Sequence, residues 1–289
     1  MNDILKNWGL SGEKITQIDT IHKSSWNIRD SILKYNPNIA ELSQCIKLSN
    51  LLSLYKIPLA EYIKTADGNW TTPDGKYCLM KKLNGNHIDF YEHPEMINVL
   101  GQELAKLHGA FLKIESEAEC KDSNYIEDWQ NYIKPGLVNV SNDIINFIED
   151  IFFNLYKDLP KQLIHRDVHS QNVLFDNGKL SGWLDFDISC RNVRIFDMAY
   201  LLAGLLVGKT NSPVKIKIWN KLYHELLLGY ESVNSLSDTE KEALPYMMMA
   251  IELLFVTFWN NYGNIEQRDE AIIVVEWLYE NYGKNKFAA

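Results

Sequence analysis

Hydrophobic and polar positions in the first eighty residues follow the two-residue period of β-strands, with one helical interruption. Asp67–Gly68 and Asp74–Gly75 mark tight turns between the later strands. Between the second and third strand segments apolar residues recur at helical spacing, and we expect Asn36 to cap this helix, with Pro37 in its first turn. The strand segments are residues 14–21, 25–35, 59–65 and 76–83.

From Pro94 onward the pattern is mainly helical. Ser212 and Pro213 are a typical cap and first helical residue, and Ser237–Glu240 has the spacing of a capping box. We expect Pro245 to kink or split the helix that follows this box. The four clearest helical segments are residues 94–114, 141–160, 212–230 and 266–283.

One β-hairpin is expected inside this helical region. Asn177–Gly178 is typical of a type I′ turn, whose two central residues need positive φ. A two-residue loop fixes the register, so we expect Asn172 opposite Trp183, with Asp185 on the same face as Asn172. The hairpin would then bring an amide and a carboxylate within reach of one divalent ion.

Composition excludes several classes of protein. The 289 residues carry a formal net charge of −9, which opposes binding to a nucleic-acid backbone. The four cysteines stand far apart, so neither a zinc cage nor a disulfide framework is predicted. Without a signal-peptide pattern or an apolar run of membrane-spanning length, we expect a cytoplasmic protein that has no membrane partner.

Residues 165–172, "HRDVHSQN", contain candidate catalytic and metal-binding side chains. A carboxylate at Asp167 could orient an acceptor hydroxyl and take its proton, while Asn172 and Asp185 hold Mg²⁺ on a nucleoside triphosphate. Asp187 is one step further along the same face if the strand continues. Phosphoryl transfer needs mostly positioning and charge neutralisation, and these residue types supply both.

A protein substrate is not expected. Protein kinases have a long activation segment after the metal-binding Asp, and Asp187 stands where their D-F-G motif has Gly. Here the chain passes from Asp187 into an apolar helical run within about ten residues, too few for that segment. The residues therefore favour a small-molecule acceptor.

The motifs together resemble the aminoglycoside phosphotransferase / choline kinase-like (APH) family of small-molecule kinases. "LGQELAKLH" at 100–108 is similar to the family's helix "lG..LA.LH", and "HRDVHSQNVLF" to its loop "HgDlh..Nvl". "WLDFDISCRNVRIFDMAYLL" is similar to the segment "iDFe.a..g....DlA". The resemblance covers most of the chain and implies an α+β, two-lobed protein-kinase-like fold, with a β-rich N-lobe (1–83) and a helical C-lobe (84–289).

By this resemblance Asp167 is the catalytic base, Asn172 and Asp185 bind metal, and Asp187 assists them. Asp197 and His165 are interpreted as residues that brace the catalytic loop, and His108 and His169 as satisfied polar groups. The implied cofactors are ATP and Mg²⁺.

The resemblance also implies a nucleotide site in the N-lobe, with two departures from the family pattern. Lys34 would contact phosphate, beneath a glycine-free loop "HKSSWN" in which Ser24 and Ser25 supply donors. The helix after Lys34 has one acidic residue, Glu41, at half the usual spacing, so either Glu41 pairs with Lys34 or the pair is missing. The backbone that reads the adenine edge is Met80, Lys81, Lys82 and Leu83.

We therefore predict an ATP-dependent kinase that phosphorylates a hydroxyl of a small metabolite or antibiotic, of aminoglycoside, amino alcohol or sugar type. An acceptor pocket could involve Glu252, Trp259 and Tyr262, although helical spacing favours core packing for Trp259. The alternative is a kinase-fold nucleotide-binding or spore-coat-type structural protein without turnover.

Overall fold

The computed structural model describes residues 1–18 and 24–284. Its strands are β1 Thr16–Gln17, β2 Ser25–Ile28, β3 Ser31–Tyr35, β4 Tyr62–Ile63, β5 Tyr77–Lys81, β6 Lys161–Ile164, β7 Val173–Asp176, β8 Lys179–Trp183 and β9 Cys190–Val193. Its α-helices are α1 Asn2–Leu5, α2 Ile39–Ser53, α3 Met96–Ala118, α4 Tyr125–Asp128, α5 Lys134–Gly136, α6 Asn142–Phe147, α7 Phe153–Asp158, α8 Ile195–Leu206, α9 Pro213–Glu231, α10 Asp238–Tyr262 and α11 Ile265–Leu278. Short 3₁₀ turns (Lys6–Trp8, Ser170–Asn172) and π-helical turns (Trp129–Ile133, Ile148–Phe152, Tyr279–Gly283) complete the elements.

The first compact unit comprises Met1–His87, Lys113–Cys120 and Gln171–Ser189. Its antiparallel sheet has the order β1-β2-β3-β5-β4. The strand segment predicted at 25–35 is two strands, β2 and β3, because the chain reverses at Arg29, whose φ is +51°. No glycine marks this turn, so the pattern of residues could not reveal it. The segment predicted at 14–21 extends into residues that the structure does not describe.

The start of α2 lies two residues beyond the predicted position. Asn38, not Asn36, is the N-cap, and its side chain accepts a hydrogen bond from Glu41 N. Asn36 is buried instead: its Oδ1 accepts the backbone N–H of Asn38 at 2.8 Å, and its Nδ2 donates to Asp187 at 3.3 Å. The side-chain oxygen of Asn36 thus bonds the residue that caps the helix, and its amide nitrogen bonds a distant carboxylate.

The hairpin β7–β8 confirms the turn and corrects the register. Asn177 and Gly178 have φ of +48° and +75°, as a type I′ turn requires. Val173, not Asn172, lies opposite Trp183, because Ser181 is an extra residue in β8. The cause is Asn86, which exchanges both backbone hydrogen bonds with Phe175 at 2.9 Å.

The second compact unit comprises Ile88–Leu112, Lys121–Ser170 and Cys190–Ala289. It contains most of the helices and a two-stranded antiparallel ladder, β6–β9, which the sequence pattern did not reveal. The predicted cap Ser212 and the capping box Ser237–Glu240 are confirmed, and Ser141 caps α6. The helix α10 is continuous through Pro245, so Pro245 does not split it.

Among the described residues, α10 is the one helix with the length and composition to cross a membrane. In its most apolar window 72% of the residues are buried inside the protein, as in the core helix of a water-soluble fold. Its partners are mainly α11 and α8. Val256 of α10 packs with Ala271 and Ile272 of α11 in one hydrophobic cluster.

Candidate active site

Lys34 in β3 is joined to both carboxylates of the segment that follows β8. Its Nζ lies 2.9 Å from Asp185 Oδ1 and 2.7 Å from Asp187 Oδ2. Lys34 and Asp187 are largely buried, whereas the Asp185 side chain is 47% exposed. Burial acts to lower the pKa of Lys34, but the two carboxylates outweigh it and raise the pKa, so Lys34 is a permanent cation.

The helix α2 places Cys45, not Glu41, beside this lysine. The Cys45 Sγ lies 3.3 Å from the Tyr62 hydroxyl, and Lys34 and Asp187 are its charged neighbours. Burial, reinforced by Asp187, raises the pKa of the Cys45 thiol, which is therefore neutral. The negative partners of Lys34 are Asp185 and Asp187, in the segment after β8. The sequence had left two alternatives, pairing with Glu41 or no pair, and the structure shows neither.

Asn172 and Asp185 lie at the open end of the hairpin. The carbonyl of Asn172 accepts the N–H of Leu184 at 2.9 Å, which makes Leu184 the residue opposite Asn172. Asp185 follows in the left-handed region with φ +59°, a conformation that costs a non-glycine residue about 1–3 kcal/mol. The direction of the Asp185 carboxylate is therefore set by this local turn. It does not follow from the regular alternation of side chains along a β-strand, which the sequence prediction assumed.

Asp167 lies in the loop between β6 and the hairpin, five residues before Asn172. Its carboxylate is 22% exposed, lies 3.6 Å from His169 Nε2, and accepts a hydrogen bond from the Tyr200 hydroxyl. Burial acts to raise the pKa of Asp167, but His169, His165 and Tyr200 outweigh it, so the net direction is downward. The group is an ionised carboxylate that is partly accessible to solvent.

The fully buried Asp197 in α8 braces this loop, as the sequence predicted. Its Oδ2 accepts the backbone N–H of His165 at 2.9 Å, and its Oδ1 accepts that of Arg166 at 2.7 Å. His108 Nε2 lies 3.0 Å from Oδ2, and its Nδ1 contacts the Tyr230 hydroxyl at 2.8 Å. Arg166 itself has φ +71°, so these bonds hold the loop in a conformation that is locally costly.

The residues predicted to bind nucleotide all lie in the first unit. Ser25 is directly opposite Lys34 in the ladder β2–β3, and Ser24 is the residue just before Ser25. His22 and Lys23 of the predicted phosphate loop lie outside the described residues. In β5 and beyond, the N–H groups of Lys81 and Lys82 already donate to Glu61 and Asp30. An adenine edge read by Met80 to Leu83 therefore has to use the other backbone groups of that segment.

Leu83 is held against the hairpin. A Cβ on Gly182 would lie 2.4 Å from Leu83 Cδ1, so the glycine in β8 makes room for this side chain. The contact fixes the end of the predicted adenine segment relative to the strand that leads to Asp185. Both residues belong to the first compact unit.

Sequence reasoning missed Tyr200, which is the hydroxyl partner of Asp167. It stands three residues after Asp197, on the same side of α8, and that spacing was the available signal. Of the residues predicted to form an acceptor pocket, Glu252 is 2% exposed, Trp259 is half-buried, and Tyr262 is 72% exposed. Trp259 lies with its ring centroid 4.8 Å from that of Phe258.

Comparison with known proteins identifies the family. Residues 24–239 match the family described as the phosphotransferase enzyme family, APH. The chain belongs to this family. The family assignment made from the three motifs is thereby confirmed.

Two proteins named homoserine kinase are among the chain's curated relatives. That of Neisseria meningitidis serogroup B is 28% identical over 211 residues, which cover 71% of this chain and 67% of that protein. That of Brucella anthropi is 29% identical over 175 residues, and the match spans only half of its length, against 57% of this chain.

Solved structures show the fold. The amicoumacin kinase hAmiN, in complex with AMP-PNP, Ca²⁺ and Ami, aligns with a TM-score of 0.75 at 17% identity over 98% of this chain and 92% of that one. The microcompartment-associated aminopropanol kinase aligns with a TM-score of 0.71 at 14% identity, over 98% and 97% of the two chains. The predicted protein-kinase-like fold is confirmed.

Proposed function

We propose that the protein is an ATP-dependent, Mg²⁺-requiring kinase that phosphorylates a hydroxyl group of a small molecule. The observation that carries the proposal is the ionised Asp167 carboxylate, held by His169 and Tyr200 and partly open to solvent. In this role Asp167 accepts a hydrogen bond from the acceptor hydroxyl, orients its oxygen and takes its proton.

The hairpin supports a divalent cation on the nucleotide. Among the described residues no three His, Cys, Asp or Glu side chains form a metal cluster. The candidate oxygen donors are the carboxylates of Asp185 and Asp187 and the amide of Asn172, and of these we assign Asn172 and Asp185 to the metal. Oxygen donors of this number suit Mg²⁺, which keeps waters and phosphate oxygens as its other ligands. Both carboxylates already bind the cation of Lys34, which supports their affinity for positive charge.

In this proposal Asn172 and Asp185 hold the metal, while Asp187 holds Lys34 for a phosphate group. The bound Mg²⁺ supplies neutralisation of the charge on the transferred phosphoryl group.

A lysine without an acidic partner would favour the non-catalytic alternative. Lys34 does not provide that support, because Asp185 and Asp187 both pair with it. Curated relatives named homoserine kinase and a structural neighbour titled aminopropanol kinase further support an acceptor that bears both a hydroxyl and an amine.

The test is release of ADP from Mg·ATP in the presence of amino alcohols, hydroxy amino acids, sugars and aminoglycosides. Asp167→Asn is assayed beside the wild type, and the exposed Asp158→Asn serves as a matched control. We expect acceptor-dependent ADP release that falls about 10²–10⁴-fold in Asp167→Asn and is unchanged in Asp158→Asn. ATP binding without ADP release from any acceptor would favour the non-catalytic alternative, and absence of ATP binding would overturn the proposal.

A further inference from the structure

Arg166 occupies a position whose backbone conformation favours glycine. Its φ is +71°, a left-handed value that glycine adopts freely and that is costly for a residue with a side chain. The family loop "HgDlh..Nvl" has glycine at this position, whereas this chain has arginine. The bond from the backbone N–H to Asp197 Oδ1 needs no side chain on residue 166. The presence of arginine is therefore explained by what its guanidinium contacts.

The guanidinium of Arg166 is poorly paired. Its side chain is 31% exposed, and among the described residues its partners are the Asp128 carboxylate and the Cys190 thiol. Asp128 Oδ2 lies 3.9 Å from the guanidinium, beyond the range of a hydrogen bond, and a thiol is a weak acceptor. Arg194 in the same compact unit is well paired by contrast, since it reaches both oxygens of Glu240 at 2.5 and 2.8 Å. Arg166 thus retains N–H donors for a ligand.

This guanidinium belongs to the surroundings of the catalytic carboxylate. Arg166 directly precedes Asp167, and both lie in the second compact unit. Burial raises the pKa of the Tyr200 hydroxyl, which is the hydrogen-bond partner of Asp167, and the charge of Arg166 opposes that rise. The charge of Arg166 therefore reaches the partner of the base. A guanidinium at this place can serve the acceptor, whose hydroxyl meets Asp167 in the proposed function.

An anion for Arg166 has two possible sources, the nucleotide and the acceptor. The residues predicted to bind nucleotide lie in the first compact unit, where Lys34 is the cation for phosphate. Arg166 lies in the other unit, one residue from the base. A planar guanidinium with parallel N–H donors matches a carboxylate in a bidentate pair. These observations favour a carboxylate of the acceptor.

We infer that Arg166 binds the carboxylate of an acidic acceptor, a small hydroxy acid or hydroxy amino acid. This inference rests on the proposed kinase function and names its substrate class. Asp128 competes with the acceptor carboxylate, since it is the acid that faces the guanidinium in the free protein. Binding exchanges a long, partly exposed ion pair for a bidentate one.

The test compares acceptors that differ only in the carboxylate. L-homoserine is paired with 3-amino-1-propanol, and L-serine with 2-aminoethanol, and ADP release is measured at varied acceptor and ATP. The variants are Arg166→Gly, which suits the backbone conformation, and Arg166→Gln. The control is Arg191→Gln, at an exposed arginine of β9 that lies 3.8 Å from Asp122.

The carboxylate probes should depend on Arg166. For a carboxylate probe that is phosphorylated, we expect both Arg166 variants to raise KM about 10- to 100-fold, because a charge-assisted bidentate pair is lost. The KM for the decarboxylated partner and for ATP should change less than about threefold, and Arg191→Gln should match the wild type. A raised KM for ATP in place of that for the acceptor would assign Arg166 to the nucleotide. Equal KM values for the two members of each pair in the wild type would show that no carboxylate is recognised, and either result would overturn the inference.

Asp128→Asn separates ligand binding from a bracing role of the ion pair. Loss of the competing carboxylate should lower the KM for carboxylate probes by up to about fivefold and leave that for the decarboxylated probes unchanged. A kcat that falls alike for all the probes would mean that the pair braces the loop, and would overturn the inference. The melting temperature of Arg166→Gly should not be lower than that of the wild type, because glycine adopts a φ of +71° freely. Misfolding is then excluded as the cause of a raised KM.

Calorimetry provides a readout that does not depend on turnover. L-homoserine and L-serine are titrated into the wild type and Arg166→Gln, with and without Mg²⁺ and AMP-PNP. We expect the wild type to bind at least one of them about tenfold more tightly than the variant does. No binding by the wild type, or equal binding by both proteins, would overturn the inference and leave the kinase intact if a decarboxylated probe releases ADP. Binding that depends on Arg166, without ADP release from any acceptor, would support the carboxylate site and count against the kinase.

Discussion

The ammonium of Lys34 lies 2.7 Å from Oδ2 of Asp187, and the same carboxylate oxygen accepts the Asn36 amide. Asp187 thus takes the position of negative partner that a helix glutamate would hold, while α2 offers the neutral Cys45. Asp185, more exposed, remains available to a metal ion. Two carboxylates separated by one residue consequently have different expected roles.

Asp187→Asn should weaken nucleotide binding more than it changes the Mg²⁺ concentration needed for half-maximal rate. We expect the KM for ATP to rise about tenfold and the free energy of unfolding to fall by about 1–3 kcal/mol, because Lys34 stays buried with one partner fewer. Asp185→Asn should instead raise the Mg²⁺ concentration needed for half-maximal rate. Kinetics at varied ATP and Mg²⁺ check both. Glu41→Gln is the control, and an effect of that variant on the KM for ATP would show that Glu41 does reach Lys34.

Protonation of Asp167 should not reduce turnover at any pH above 5. Hydrogen bonds from His169 and Tyr200 outweigh burial and hold the pKa of Asp167 below its ordinary value of 3.8. The carboxylate therefore stays ionised as pH falls from 8 to 5, and its help is lost only as pH falls through the lowered pKa. A pH profile of kcat/KM for Asp158→Asn and wild type should superimpose. A limb near pH 6 that Asp167→Asn abolishes would contradict this assignment.

Asp197→Ala should destabilise the second unit and disable the loop. The variant leaves the buried N–H groups of His165 and Arg166 without their acceptor, at about 1–3 kcal/mol each. Urea unfolding measures the loss, with the exposed Asp158→Ala as control. Unchanged stability together with lost turnover would mean that Asp197 acts on substrate and is not a brace.

Glu252 should make the wild type less stable as pH rises. Its folded pKa is about 8 against an ordinary value of 4.5, so its contribution is fully present below pH 4.5 and is lost as pH rises through 8. The loss amounts to at most about 1.4 kcal/mol per pH unit. Melting temperatures between pH 5 and 8.5 should fall more steeply in the wild type than in Glu252→Gln. Parallel curves would show that Glu252 is not a protonated acid in the free protein.

Local chemistry made several features predictable. The turn at Asn177–Gly178 follows from residues that tolerate positive φ, and the capping box Ser237–Glu240 from hydrogen bonds within one helical turn. The three motifs at residues 100–108, 165–175 and 183–202 were sufficient for the family, since each is a pattern within one short stretch of chain.

The sequence by itself determined most of the helices, the hairpin turn and the family, because each depends on neighbours a few positions away. Tertiary structure decided what depends on distant ones. Asn86 imposed the bulge at Ser181 that shifts the hairpin register, and Asn36 donates its side-chain amide to Asp187, which lies 151 residues away in the sequence. Likewise, only packing could bury Glu252 beside Tyr200 without a counter-charge, since helical spacing describes which residues face inward and not what they meet there.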